Sequence, residues 1–378
     1  MKHYTFLDLA KVNAPYMDEL AQAATRVITS GRYIGGPEVE AFEQELGGLL
    51  RVPHVVAVSN GLDALRLILK AWIVMGRLKK GDRVIVPANT YIASVLAISD
   101  AGLMPVLVDP DKATMNLSAE TLLKAITPET RAVMPVHLYG RVAWDAEIAE
   151  IVDRHNLLVI EDCAQAIGAQ APLSGRHGIN MAGVLGDAAA LSFYPTKNTG
   201  ALGDAGAVTT FDSELATTVR ALANYGSDRR YHNIYCGYNC RMDPIQAAML
   251  RVKLPYTNKE NADRFERALA YHRTIQRPDI VKPLMSEHPT DCVWHQYVIR
   301  VLDGNRDRLA ERLREQGVET DIHYAIPPHM QPCYKDLNHG PLPVTETLAS
   351  QILSLPIATG TTVTDAVEIA QIINNTQL

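Results

Sequence analysis

The stretch "LSFYPTKNTGALGDAGAVTT" (191–210) decides the fold, because it sets one lysine, Lys197, directly after a strand-like apolar run. Three glycines follow that lysine, at positions 200, 203 and 206. Burying a lysine costs free energy, since desolvation disfavours its charge. Taken alone, the stretch fits an ordinary loop lysine as well as a functional one, so residues elsewhere in the chain must decide.

The composition is that of a globular protein with two domains. The chain has 378 residues, 47% of them hydrophobic and 21% charged, and this length exceeds what one compact core usually holds. The net charge of −6 and the isoelectric point of about 6.1 argue against a surface for nucleic acid or membrane.

The cysteines and the N-terminus predict a cytoplasmic protein. The five cysteines are an odd number at scattered positions, which favours a reducing compartment over a disulfide framework. Cys236 and Cys240 are close, but no second pair follows at the spacing of a zinc site. Residues 1–20 are too interrupted by charge for a signal peptide.

Strand-like and helix-like segments alternate through the first two thirds of the chain. "HVVAVSN" (54–60) precedes the helical "GLDALRLILKAWIVMG" (61–76), and "DRVIVPA" (82–88) precedes "TYIASVLAISDAG" (90–102). This alternation predicts an α/β fold with a largely parallel sheet covered by helices on both faces. After a helical region broken at Pro255, "VWHQYVIRVL" (293–302), the helix "RDRLAERLREQG" (306–317) and "VETDIHY" (318–324) predict a smaller α+β domain. We therefore predict a large domain over 1–255 and a small domain over 256–378.

The segment "SNGLDAL" (59–65) lies between a predicted strand and a predicted helix. The N-terminus of such a helix offers free N–H groups and a positive dipole to an anion, and Gly61 allows close approach. A simple helix cap, with Asn60 paired to Asp63, explains the same residues equally well. The chain has no GxxxxGK[ST] motif, and its spaced glycines lead into a strand, which excludes a dinucleotide fingerprint.

An acid and a lysine stand at the ends of two neighbouring predicted strands. "LLVIEDCAQAIGA" (157–169) ends its apolar run at Glu161 and Asp162, and Lys197 follows the next strand. Pyridoxal phosphate (PLP) needs a lysine for a covalent link, a carboxylate for its ring nitrogen and a phosphate cup. Tyr91 follows another strand and has a ring that could stack on the cofactor, although core packing accounts for it equally.

Three motifs resemble the DegT/DnrJ/StrS-type sugar aminotransferases of PLP fold-type I, which have an aspartate aminotransferase-like fold. They are "EDCAQAIGA" (161–169), "SFYPTKNTGALGDAGAV" (192–208) and "NYGSDRRYHNIYCGYNCRMDPIQAAML" (224–250). The resemblance extends from "SGRYIGGPEVEAFEQEL" (30–46) to "IHYAIPPHMQPCY" (322–334), so it covers nearly the whole chain. It implies a large PLP-binding domain with a mostly parallel sheet and a smaller C-terminal α+β domain.

The resemblance also implies roles for individual residues. Lys197 would hold PLP covalently and transfer protons, and Asp162 would pair with the ring nitrogen. The other expected cofactor contacts are Gln165 and Tyr91 at the ring, Gly61, Leu62, Asp63 and Ser192 at the phosphate, and Asn239 from the neighbouring subunit of a homodimer with shared sites. Burial and the cofactor should lower the pKa of Lys197, and the glycines after it should let the chain pass close to cofactor and substrate.

Two positions depart from the family pattern. Leu62 stands where many relatives have threonine, so only its backbone N–H can serve the phosphate. Tyr194 stands where several relatives have histidine, which alters substrate contacts and leaves the covalent chemistry of the lysine intact.

The implied reaction moves an amino group from glutamate to a keto-sugar nucleotide, in two half-reactions. The substrate-side segments are most similar to the branch that aminates carbon 3 of a dTDP-linked 3-keto-6-deoxyhexose. The residues expected to contact this substrate are Tyr194, Arg229, Tyr231, His323 and Tyr324, with Arg230 alongside; a solvated loop pair is the other interpretation of the two arginines.

Other functions fit parts of the sequence. The alternatives are a carbon-4 aminotransferase acting on a UDP- or dTDP-linked 4-keto sugar and a non-catalytic PLP-binding regulator. Lys197 argues against the dehydratase branch of the family, which has histidine at that position. His323 and His329 flank a rigid "YAIPP" turn (324–328) with no acid nearby in sequence, so we expect no metal site there.

Overall fold

A seven-stranded sheet forms the centre of the molecule in a computed structural model that describes residues 2–285, 288–337 and 339–378. Its spatial order is β1-β7-β6-β5-β4-β2-β3. The strands are β1 (His54–Val58), β2 (Arg83–Pro87), β3 (Met104–Val108), β4 (Thr130–Val133), β5 (Leu158–Asp162), β6 (Ala188–Ser192) and β7 (Gly206–Thr210).

Pairing in this sheet is parallel from β3 through β2, β4 and β5 to β6. Asp162 on β5 faces Ala190 on β6 in that register, which brings the ends of the two strands together. β7 runs antiparallel to both β6 and β1, so the expected sheet is parallel over most of its width and antiparallel at one side.

Helices cover both faces of this sheet. The large unit contains α1 (Leu9–Asn13), α2 (Met17–Ser30), α3 (Pro37–Leu50), α4 (Gly61–Val74), α5 (Ile92–Asp100), α6 (Ala119–Ala125), α7 (Ala146–Arg154), α8 (Ser213–Ala223) and α9 (Pro244–Lys253). Successive residues of one strand enter opposite cores: Val84 and Val86 pack with α4 and α5, and Ile85 packs with α6 and α7. This alternation buries the strands on both sides, as their continuous apolar sequence predicts.

A smaller antiparallel sheet follows in the chain, with the order β10-β11-β12. Its strands are β10 (Ile280–Val281), β11 (Tyr297–Val301) and β12 (Ile352–Leu355), and its helices include α10 (Thr257–Thr274), α11 (Arg306–Glu315), α12 (Pro343–Gln351) and α13 (Val363–Asn375). The expected strand in 318–324 does not form, because that segment contributes only isolated bridges at Val318 and Asp321. The third strand comes instead from residues 352–355.

The junction between the two units is helical. α9 ends at Lys253, a 3₁₀ turn spans Leu254–Tyr256, and α10 begins at Thr257. Pro255 sits inside that turn and has no N–H to continue α9, which accounts for the break. The N-terminus crosses back to the smaller unit, where the Tyr4 N–H donates to the Gly317 carbonyl (2.8 Å).

Short 3₁₀ turns and one hairpin complete the described structure. The turns span Ala14–Tyr16, Leu138–Gly140, Pro328–Met330 and Pro332–Tyr334. The hairpin is formed by β8 (Ser227–Arg229) and β9 (His232–Asn233), and Tyr231 at its tip is 87% exposed. None of the described helices combines the length and apolarity needed to cross a bilayer.

Candidate active site

A cavity of about 590 Å³ opens at the carboxyl ends of β5 and β6 and the N-terminal end of α4. This is the edge at which ligands bind in open α/β sheets. Residues that precede and follow β11 close the side that faces the smaller unit. The predicted site residues that line the cavity are Gly61, Leu62, Tyr91, Asp162, Gln165, Ser192, Tyr194, Lys197, His323 and Tyr324.

Lys197 lies in a tight loop after β6. Its backbone N–H donates to the Tyr194 carbonyl (2.8 Å). The Ala201 N–H donates to the Phe193 carbonyl (2.8 Å), which joins the two ends of the loop. The residue is half-buried and lines the cavity. Burial lowers the pKa of Lys197, and the opposing charge of Asp162 limits that shift. The environment therefore favours the neutral amine that nucleophilic chemistry requires.

Asp162 ends β5 and is held by two donors. The Ser94 hydroxyl donates to Asp162 Oδ2 (2.7 Å), and the Ala164 N–H donates to Oδ1 (3.1 Å). The residue is 6% exposed, and that exposure opens on the cavity. A carboxylate fixed in this way can accept a hydrogen from a cationic ring nitrogen.

Gln165 is fixed by groups from both units. Its Oε1 accepts the Tyr139 N–H (2.6 Å), and its Nε2 donates to the Tyr324 hydroxyl oxygen (3.1 Å). The Tyr139 hydroxyl in turn donates to the His323 carbonyl. The ring of Tyr91 lies against that of Tyr324, with centroids 5.0 Å apart. These contacts tie the large sheet to the segment 323–324 across the cavity.

The start of α4 has both a side-chain cap and free N–H groups, the two interpretations that the sequence left open. Asn60 caps the helix, because its Oδ1 accepts the Asp63 N–H (2.8 Å). The N–H groups of Gly61 and Leu62 have no acceptor among the described residues. A Cβ on Gly61 would lie 2.7 Å from the Cβ of Ser192, so only glycine lets α4 start this close to β6. The two free N–H groups offer an anion site at the edge of the cavity.

The glycines after Lys197 have a different function from the expected one. A Cβ on Gly200 would lie 2.3 Å from the Pro195 carbonyl oxygen, and one on Gly206 would lie 2.4 Å from the Asn60 carbonyl carbon. A Cβ on Gly203 would lie 2.7 Å from Gln246 Nε2. These glycines therefore let the chain pack against itself, and the expectation that they make room for cofactor and substrate is wrong.

Four predicted site residues lie outside this cavity. The Asp63 carboxylate is bonded to Ser59 (2.5 Å), Asn60 (3.0 Å) and Arg66 (2.7 Å) and so orients the helix start. The other three are exposed on the hairpin or beyond it: Arg229, Tyr231 and Asn239. Arg230 is exposed as well and stacks on Tyr231.

The sequence analysis missed several polar residues of the cavity: Asp204, His295, Gln296 and Asp321, together with Ser94 behind Asp162. Ser94 lies three residues after Tyr91, so helical spacing could have indicated it. The pairing of His295 with the Lys197 loop spans about a hundred residues, and no local pattern signals it.

The two histidines considered as a metal pair have different partners. His323 Nδ1 is 2.9 Å from Ser354 Oγ, whereas His329 Nε2 is 3.5 Å from Glu346, an acid distant in sequence. Across residues 2–285, 288–337 and 339–378, no group of three or more histidine, cysteine, aspartate or glutamate side chains is arranged to hold a metal ion.

Comparison with known proteins identifies the family to which this chain belongs. The model of the DegT/DnrJ/EryC1/StrS aminotransferase family matches residues 16–374. The chain is 45% identical over 356 residues to the erythromycin biosynthesis sensory transduction protein EryC1 of Saccharopolyspora erythraea, covering 93% of each. It is 43% identical over 353 residues to the dTDP-3-amino-3,6-dideoxy-α-D-galactopyranose transaminase of Aneurinibacillus thermoaerophilus, covering 93% of this chain and 94% of that one.

A solved structure is similar over the same length. The crystal structure of S. venezuelae DesV in complex with a ketimine intermediate matches with a TM-score of 0.92 and 40% identity, covering 99% of this chain and 98% of that one. The expected family resemblance and the expected α/β fold are both confirmed.

Proposed function

We propose, from the premise that this chain belongs to the DegT/DnrJ/EryC1/StrS aminotransferase family, that it aminates carbon 3 of a dTDP-linked 3-keto-6-deoxyhexose with glutamate as the donor. The chain is a sugar aminotransferase, and the family depends on PLP. The observation that carries the proposal is the enclosure of Lys197 and Asp162 in one cavity, which also has an anion site at the start of α4.

The residues of the cavity fit PLP. A half-buried lysine with a lowered pKa, a fixed carboxylate and the free N–H groups of Gly61 and Leu62 match the aldehyde, ring nitrogen and phosphate of that cofactor. Ser192 flanks the phosphate side, and Gln165, Tyr91 and Tyr324 flank the ring side. The cavity volume also lies within the range of small-molecule sites.

Bound PLP supplies an electron sink that stabilises negative charge on the substrate carbon. Lys197 holds the cofactor, and its amine, once released, carries a proton between two carbon atoms. Asp162 keeps the ring nitrogen protonated through its fixed carboxylate. Tyr91 and Tyr324 lie against each other at the cavity and would flank the ring.

The proposed substrate is chosen by similarity to the named relatives. The transaminase of A. thermoaerophilus is named for a dTDP-3-amino-3,6-dideoxy sugar. Leu62, in place of threonine, supports the carbon-3 branch, and Tyr194, His323 and Tyr324 line the cavity where the sugar would lie. The carbon-4 reaction and UDP-linked sugars are the alternatives that the assay must distinguish.

The charge of the cavity supports a homodimer with shared sites. Lys197 is the one lysine or arginine among the described lining residues, and Asp162, Asp204 and Asp321 are acidic. The cofactor phosphate and the sugar diphosphate both need cations. The exposed Arg229, with Arg230, Tyr231 and Asn239 nearby, would supply these contacts to the cavity of a second copy.

Two measurements test the reaction. Purified protein should be yellow, and glutamate should convert its spectrum to that of pyridoxamine phosphate. A panel of dTDP- and UDP-linked 3-keto and 4-keto sugars then identifies the acceptor, with NMR of the product locating the nitrogen. Nitrogen at carbon 4, or activity confined to UDP-sugars, would refute the proposed substrate, and bound cofactor without any half-reaction would indicate a regulator.

The shared site has its own test. Lys197→Ala and Asn239→Ala subunits are each inactive or impaired, but a mixed dimer contains one site with both residues intact. Random reassociation of equal amounts should restore about one quarter of the wild-type sites. A fully active monomer in sedimentation, or no recovery on mixing, would contradict sharing.

A further inference from the structure

The N-terminal segment, residues 2–8, lies along the smaller unit and ends at the cavity. The Tyr4 N–H donates to the Gly317 carbonyl (2.8 Å), and the Glu319 N–H donates to the Tyr4 carbonyl (3.0 Å). These two bonds fix the path of the segment beside residues 317–319. Two residues after Tyr4, the half-buried Phe6 lines the cavity. The N-terminal segment therefore contributes a side chain to the candidate active site.

One short stretch of the smaller unit contacts both the backbone and the ring of Phe6. The Glu319 carboxylate accepts the Phe6 N–H at Oε2 (2.9 Å), and its Oε1 lies 3.0 Å from His3 Nε2. Four residues after Glu319, the ring of His323 is stacked on the Phe6 ring, with centroids 5.8 Å apart and planes inclined by 27°. Aromatic pairs in such an arrangement stabilise each other beyond the area that they bury. Glu319 therefore places the Phe6 ring against His323.

The His323 ring has contacts on three sides. Its Nδ1 lies 2.9 Å from Ser354 Oγ on β12, which is hydrogen-bond distance. The Tyr324 ring meets it edge-on, with centroids 5.5 Å apart, and the Phe6 ring lies against its face. Rotating the histidine side chain would break the bond to Ser354, and the rings of Phe6 and Tyr324 oppose that rotation. The orientation of His323 thus depends on a residue of the N-terminal segment.

The side of the cavity that faces the smaller unit is rich in apolar surface. Phe6, Leu7 and Tyr324 all line it, together with His323. A 6-deoxy sugar carries a methyl group and its nucleotide carries a flat base, and both gain from contact with aromatic and aliphatic side chains. Glutamate is a small charged amino acid and gains little from such a surface. This side of the cavity therefore suits the sugar-nucleotide acceptor better than the amino donor.

We propose that Phe6 is a positioning residue for His323 and that it affects binding of the sugar-nucleotide acceptor through that histidine. The Phe6 ring holds the His323 ring in the plane in which Nδ1 meets Ser354 Oγ. Held in this way, the histidine forms part of the surface on which the acceptor lies. The role toward the acceptor rests on the proposed function, whereas the effect of Phe6 on the His323 ring does not depend on it and is tested by itself.

Nitrogen-15 spectra of the histidine rings, recorded on the whole protein before and after addition of PLP, measure this orientation. Burial lowers the pKa of His323, so its ring is neutral at about pH 8, and a change at Nδ1 then reports on the hydrogen bond rather than on protonation. Ser354→Ala removes the bonding partner and gives the Nδ1 resonance of the unbonded ring. His323→Asn identifies the signal by its disappearance.

Phe6→Leu keeps an apolar side chain but removes the stacked ring. The His323 Nδ1 resonance should move toward its value in Ser354→Ala, and Phe6→Tyr, which keeps the ring, should leave it at the wild-type position. Glu319→Ala removes the acceptor of the Phe6 N–H and should move the resonance in the same direction as Phe6→Leu. It also serves as the second variant if Phe6→Leu fails to fold.

The chain offers a matched control. The Phe211 ring is stacked on His177, with centroids 4.0 Å apart, and neither residue is among the described ones that line the cavity. Phe211→Leu therefore removes the same kind of ring pair elsewhere and should leave the His323 signals unchanged. A His323 Nδ1 resonance that stays at the wild-type position in both Phe6→Leu and Glu319→Ala overturns the proposal.

A comparison of the two half-reactions tests the role toward the acceptor. In Phe6→Leu, KM for a dTDP-linked 3-keto-6-deoxyhexose should rise roughly 2- to 10-fold, which is what one aromatic pair contributes, while the rate and KM with glutamate stay within about 2-fold of wild type. Phe6→Tyr should recover the wild-type KM. An unchanged KM for the sugar, or an equal rise in KM for glutamate, contradicts this role. Absence of turnover of that sugar by the wild type contradicts the proposed function instead and leaves the spectroscopic test valid.

Discussion

Replacing Glu161 by glutamine should destabilise the protein strongly, although the two side chains have the same shape. Glu161 is fully buried next to Asp162 and accepts four hydrogen bonds. Its Oε1 accepts the N–H groups of Leu185 (2.7 Å) and Gly186 (3.0 Å). Its Oε2 accepts the Gly183 N–H (2.8 Å) and His137 Nε2 (2.9 Å).

An amide has one oxygen, so two of these four donors must lose their acceptor in Glu161→Gln. His137 cannot adapt by moving its hydrogen, because its Nδ1 already accepts the Ala143 N–H. Each buried donor left unpaired costs about 1–3 kcal/mol, which gives a total loss of about 2–6 kcal/mol. The loop 183–186 leads into β6, so the same change should loosen the strand that carries Ser192 and precedes Lys197.

Urea unfolding of the cofactor-free protein, followed by circular dichroism, measures this loss. Glu150→Gln is the matched control, because Glu150 is an exposed residue of α7 paired with Arg154, and its replacement should change stability by less than about 0.5 kcal/mol. A loss below about 1 kcal/mol in Glu161→Gln would show that the carboxylate is not needed as a fourfold acceptor.

Three further changes test the site. Lys197→Ala should reduce turnover by about 10⁴-fold or more with an unchanged unfolding midpoint, whereas the exposed Lys80→Ala should behave as wild type; substantial turnover in the first variant would remove Lys197 from the chemistry. Gly61→Ala should weaken cofactor binding measured by titration, because its Cβ would lie 2.7 Å from Ser192 Cβ, and Gly48→Ala in α3, where a Cβ meets nothing within 4 Å, should not. Because burial lowers the pKa of His295, the unfolded state binds more protons below pH 6.5 and stability falls as pH falls. His295→Phe should reduce that slope by about 0.7 kcal/mol per pH unit near pH 6.5 and by about 1.4 kcal/mol per pH unit near pH 5, and an equal slope in both proteins would contradict a neutral His295.

Local sequence predicted the elements and the approach of Asp162 to Lys197, because neighbouring parallel strands end at the same edge of a sheet. It did not predict the antiparallel β7, since Gly206–Thr210 reads as a strand in either direction. The segment 318–324 looked strand-like, yet residues 352–355 pair with β11 instead. Pairing of this kind depends on contacts between distant segments, which periodicity does not encode.

The same limit explains the error about the glycines. Their spacing drew attention to a ligand, but the space they save is filled by Pro195, Asn60 and Gln246. Gly61 lies against Ser192 at the end of β6, and Gly206 at the start of β7 lies against Asn60 and the Gly61 nitrogen. The start of α4 is therefore packed against both β6 and β7. Sequence can show that a glycine is present, and only the fold shows what approaches it.

The Lys197 loop gains its rigidity from residues that belong to both units. Asn198 is bonded to Asn261 on α10, Thr199 Oγ1 to Thr257 Oγ1 (2.8 Å), and the Gly200 carbonyl to Lys253 Nζ (2.6 Å). The three residues after the lysine thus all turn away from the cavity, toward the helices that join the two sheets. Lys197, which precedes these three residues, lines the cavity instead. Because His295 and Tyr324 also reach the cavity from the smaller unit, the distance between lysine and its neighbours depends on the packing of α10, and substitutions at Asn261 should alter catalysis without touching any reacting atom.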